Sequence, residues 1–146
     1  MNKLVFSLVF AASFLSTGAG AMAATNPAAC YAAKMVSINQ ARLNAVGACN
    51  ATAGQSLGKL GAIVQNARMR GIPSYSAFRS AVAALGVSVP AAAPSELLSS
   101  PAWAGYVNRV NALATAAINA KYNQCVTAAN NTFNASSAAA KATCRA

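Results

Sequence analysis

Two long stretches of the chain repeat apolar residues at helical spacing with no proline to interrupt them, from Pro27 to Arg70 and from Pro101 to about Cys144. Leu57, Leu60, Val64 and Ala67 in the first, and Val107, Val110, Ala114 and Ala117 in the second, follow the 3-4-3 step of a buried helix stripe. Each stretch opens on a start signal, Thr25/Asn26 before Pro27 and Ser100 before Pro101. In each, a capping side chain precedes a proline whose missing N–H has no partner to lose in the first turn. Gly71-Ile72-Pro73 closes the first helix, whose weak points are Gly47, Gly54, Gly58 and Gly61. The second is weakest from Asn130 to Ser137. Between them, Ser74 to Leu85 predicts a short amphipathic helix closed by Gly86, Val87 to Pro94 a proline-bounded loop, and Ser95 to Ser99 at most one helical turn. The predicted fold is all-α.

Large apolar side chains are unevenly distributed along this frame. Leu57, Leu60, Ile63, Val64, Ile72, Tyr75, Phe78, Val82, Leu85, Leu97, Leu98, Trp103, Tyr106, Val110 and Leu113 gather around the bend, whereas the outer segments are mostly Ala, Ser, Asn and Thr. This predicts one helical domain over 24–146, with a stem of 27–56 and 114–146 and a head of 57–113. Tyr75, Phe78, Trp103 and Tyr106 read as head core rather than as the walls of a ligand pocket. Alanine pairs in the stem supply only a fraction of the roughly 1.5–3 kcal/mol that a buried Leu or Phe contributes. Gly54 and Gly58 carry the small-x-x-x-small spacing of closely packed helices, a weak signal in a soluble chain.

The cysteines supply the missing constraint. Cys30 and Cys49 are 19 residues apart, as are Cys125 and Cys144, so Cys30 with Cys144 and Cys49 with Cys125 both add to 174. That mirror predicts an antiparallel helical hairpin stapled by two disulfides, Cys30–Cys144 and Cys49–Cys125. The same register sets Leu57 against Ala117, Leu60 against Ala114, Val64 against Val110 and Ala67 against Val107, all apolar pairs. Nineteen residues at 100° each leave a remainder of about 100°, so straight ideal helices cannot form both rungs. The outer rung is expected to use the helix ends. A local pairing, Cys30 with Cys49 and Cys125 with Cys144, is the alternative; it needs a chain reversal, which Asn130 to Asn134 could supply but nothing between Cys30 and Cys49 resembles.

Residues 1–23 read as a secretory signal peptide: Lys3 at the start, an apolar run from Leu4 to Leu15, then small residues up to Ala21-Met22-Ala23, with cleavage expected before Ala24. The apolar run is too short to cross a bilayer, which takes about 20 residues. An even cysteine count without C-x-x-C spacing agrees with export to an oxidising compartment, periplasmic or extracellular.

Charge then narrows the chemistry. The chain has 11 Lys+Arg, one acidic residue and no His, for a net charge of +10. With Glu96 as the sole side-chain carboxylate, carboxylate pairs, His-based triads and His or Asp metal cages cannot be built. Glu96 beside Ser95 reads as a helix-start residue. No enzyme activity, cofactor or metal is expected. The basic residues cannot be neutralised internally, which predicts an anionic partner, an envelope polymer or an acidic protein. Nucleic acid remains among the anionic candidates, although no RNA-binding signature or zinc finger favours it. Arg68, Arg70 and Arg79, concentrated at the bend, are the candidate contact residues. The alternative role is a structural subunit that self-associates through its Ala-rich stem as a homo-oligomer.

Overall fold

The computed structural model of the protein describes residues 26–69 and 74–145. The expected signal segment, Arg70 and the Gly71-Ile72-Pro73 closure lie outside them. Asn26 opens the first helix, α1 (Pro27–Met69): its Oδ1 accepts the N–H of Ala28 at 2.9 Å. Ser74 caps α2 (Tyr75–Ala83), its hydroxyl accepting from Ala77. Pro94–Leu97 forms a 3₁₀ turn, and α3 (Ser100–Thr143) follows. The cap of α3 is Ser99 rather than Ser100, because the Ser99 hydroxyl reaches the Ala102 N–H and puts Ser100 and Pro101 inside the first turn. Among the described residues there is no strand.

The helices α1 and α3, 43 and 44 residues long, each run about 65 Å and pack along their length. Both disulfides join them as the mirror requires, Cys30–Cys144 and Cys49–Cys125, with Cα atoms 5.7 and 5.9 Å apart. Cys49 and Cys125 are mid-helix. Cys144 lies one residue beyond α3, where Arg145 N–H bonds Ala142 O in a tighter 3₁₀ step. The outer rung thus takes up the angular remainder at a helix end. Neither the α1 glycines nor Asn130 to Ser137 breaks a helix. A Cβ added at Gly47, Gly54, Gly58 or Gly61 would meet nothing within 4 Å, so Gly54 and Gly58 do not mediate a close helix contact.

The core sits at the bend. Leu60, Val64 and Ala67 of α1 meet Trp103, Tyr106, Val107, Val110, Ala114 and Ile118 of α3, with Phe78 and Val82 of α2 and Val87 of the loop closing over them. Three side chains placed in the head by composition face outward instead: Leu57, Leu98 and Leu113 are 36%, 79% and 49% exposed. Trp103 and Tyr106 are almost wholly buried, and the rings of Tyr75, Phe78, Trp103 and Tyr106 meet mostly edge to face at 5.5–6.1 Å. Such pairs add about 0.5–1.5 kcal/mol each beyond burial. These aromatics are core, and only Phe78 also borders a shallow cleft of about 260 Å³ between α1 and α2.

Candidate functional site

The electrostatics of the surface turn on Glu96. The 3₁₀ turn places its Oε2 2.7 Å from the Ala93 N–H. Arg109, in the third turn of α3, then grips the carboxylate with both terminal nitrogens, Nη1 to Oε1 at 2.6 Å and Nη2 to Oε2 at 3.1 Å. The Arg109 guanidinium also lies over the Tyr106 ring, 5.3 Å from its centroid. The hydrogen bonds from Arg109 and then from Ala93 hold the Glu96 carboxyl below its ordinary pKa. The chain's single acidic side chain is therefore committed to one arginine. Every other Lys and Arg lacks a side-chain carboxylate to pair with.

Of the three arginines singled out at the bend, Arg68 and Arg79 are exposed. Arg68, in the last turn of α1, donates to the Asn108 side chain of α3. That bond fixes its direction. Arg79 follows Phe78 on α2. Arg70 lies outside the described residues. Two of the three are thus on the outer surface of the head, on different helices.

A second set of cations, on the stem, was not legible from sequence spacing. Lys34 and Arg42 of α1 and Lys121 of α3 line one groove of about 1540 Å³ running between the two helices. Arg42 reaches across it: its Nε donates to Asn130 Oδ1 at 2.8 Å, and its guanidinium covers the Phe133 ring at 5.1 Å. Lys121 donates to the Gly86 carbonyl at 2.6 Å. The cysteine register held the one available clue, because position 42 falls opposite 132, next to Asn130 and Phe133.

The arrangement suits binding by charge and apolar contact. Among the described residues, no group of three or more His, Cys, Asp and Glu could hold a metal ion, and no helix is long and apolar enough to cross a membrane. No protein-family model matches the chain, and neither does any curated protein or solved structure.

Proposed function

We propose that this protein is an exported, non-catalytic cationic binder, working in the periplasm or outside the cell, whose helical head engages an anionic envelope polymer or an acidic protein. The observation that carries the reading is the Arg109–Glu96 pair, which uses the only side-chain carboxylate and leaves the remaining positive charges to outside partners. Arg68 and Arg79 are the contact residues at the head, with Arg70 beside them in sequence. The two disulfides suit an oxidising compartment. Self-association through the stem is the weaker reading, since each copy would bring further cations and no acid to receive them.

Heparin, used as a generic anionic polymer, tests the head. Reversal of Arg68, Arg70 and Arg79 to Glu should weaken binding by about tenfold or more and flatten its salt dependence, with helicity unchanged. Reversal of Lys34, Lys141 and Arg145 on the stem instead should cost much less. Equal losses would make net charge responsible in place of a site, and no loss from either would remove the head from the mechanism.

A further inference from the structure

The geometry points to the stem groove as a docking site for an acidic amphipathic helix of a partner protein, which would complete a three-helix bundle with α1 and α3. On α1 the groove extends from Lys34 to Ser56 and on α3 from Ile118 to Thr143, with Leu85 at its head end. At 1.5 Å per residue this is about 33–38 Å, the length of a helix of about 22–25 residues. Ile38, Ala45, Ala48 and Phe133 line it with apolar surface, and buried Ile118 closes its floor at the head end. Small side chains keep it shallow enough for a third backbone, and the larger ones give anchors to grip.

Charge identifies the occupant. Lys34, Arg42 and Lys121 all border the groove, and no carboxylate does. Carried across the hairpin register, Lys121 stands level with position 53, so the three cations are about 12 and about 16 Å apart along the stem. Those rises correspond to about 8 and 11 residues of a docked helix. Eight residues are a little over two turns and eleven close to three, so a docked helix with acidic residues on both flanks can meet Lys34 and Arg42 on the α1 wall and Lys121 on the α3 wall. An anionic bilayer offers many headgroups but a flat surface, whereas the three cations border a groove between two helices that a cylindrical helix fills. A second copy of this chain offers one acidic side chain, already held by Arg109. The cations are also pre-positioned, Arg42 by Asn130 and Phe133 and Lys121 by Gly86.

This inference shares with the proposed function the idea of an acidic partner, but it rests on different residues, so the two fail separately. The test uses the disulfide-bonded protein with two synthetic helical peptides of about 24 residues. They share one Leu/Ala face, flanked by Glu in one and by Lys in the other, and each carries a photo-crosslinker. Phosphatidylglycerol vesicles form a third arm. The Glu-flanked peptide should bind and crosslink within 34–56 and 118–143. Its Kd should rise about tenfold or more in the Lys34→Glu/Arg42→Glu/Lys121→Glu variant and stay unchanged in Arg68→Glu/Arg79→Glu. Should the triple variant misfold by circular dichroism, Ala128→Trp, at an exposed groove position, should abolish binding by filling the groove. Equal binding of the Lys-flanked peptide overturns the inference, as do crosslinks at the head. So does binding of vesicles without binding of the Glu-flanked peptide, or a dimer of the protein alone that Ala128→Trp abolishes.

Discussion

Trp103 donates its indole Nε1–H to the backbone carbonyl of Ala67 at 3.2 Å, joining the first turn of α3 to the last turn of α1. The last four carbonyls of a helix have no partner within it, and Ala67 is one of these. Ala67 is also 5% exposed, which keeps water from satisfying its carbonyl. One side chain thus fills the head core and completes the end of the opposite helix. The Tyr106 hydroxyl does the same for the loop, donating to Pro90 O at 2.8 Å.

Trp103→Phe should therefore cost more than its small loss of volume. It strands the Ala67 carbonyl, at about 1–3 kcal/mol, whereas Trp103→Ala adds a cavity and should cost about 3–5 kcal/mol. Thermal melting followed by circular dichroism reads both. A Phe variant that melts with the wild type would mean that water reaches the Ala67 carbonyl after all.

The stem depends on its staples. Of its described side chains only Cys49, Ala140 and Cys144 are buried outside the head cluster, so little apolar burial holds α1 to α3 there. Replacing Cys30 and Cys144 by Ser should cost about 2–4 kcal/mol, since the closed loop spans 114 residues. Hydrogen exchange should then rise at the two outer helix ends while Val107 and Val110 keep their protection. Loss of protection throughout the head would show that stem and head unfold as one unit.

The frame was legible because its signals are local or arithmetic. Proline and capping side chains set the helix starts, and the equal cysteine spacing set the register. The bonds from Arg42 to Asn130, Arg68 to Asn108 and Trp103 to Ala67 all fall within four of the 174 sum. What stayed hidden depends on angle rather than position. Leu57 and Leu113 belong to helices that pass through the head, but their azimuth points them to solvent. The stem groove is likewise a property of two helix faces together, and the scattered spacing of Lys34, Arg42 and Lys121 gives no hint of it. Glu96 was legible as a helix-start residue, yet its grip by Arg109 needs the 3₁₀ turn to fold back on α3.

Gly86, in the turn three residues past α2, has φ +70°, the left-handed region that side chains avoid. A Cβ there would stand 2.9 Å from Lys121 Nζ. Gly86→Ala should cost about 1–2 kcal/mol in backbone strain and push the Lys121 side chain away from the carbonyl it binds. Denaturant unfolding gives the first effect. Lys121→Met should lose the carbonyl contact alone and destabilise less; the reverse order would make the ammonium, not the backbone, the dominant element at this turn.

Stability should be flat across neutral pH and fall at both extremes, each for one identified reason. With no His and no Asp, and four cysteines in disulfides, no side chain with an ordinary pKa titrates between about pH 5 and 9. Glu96 is held below its ordinary value by Arg109, so its contribution is present above about pH 4.5 and is lost as pH falls through its folded pKa. Tyr106 behaves oppositely. Burial, followed by its interaction with Tyr75, raises its phenol above the ordinary value of about 10. The folded state then holds a proton that the unfolded chain releases, so this contribution is complete below about pH 10 and is lost as pH rises further. Urea midpoints measured from pH 2 to 11 should trace that plateau. Arg109→Met should flatten the acid limb, and Tyr106→Phe the alkaline one. A midpoint that drifts between pH 5 and 7 would contradict the assignment, because no side chain in the sequence has an ordinary pKa there.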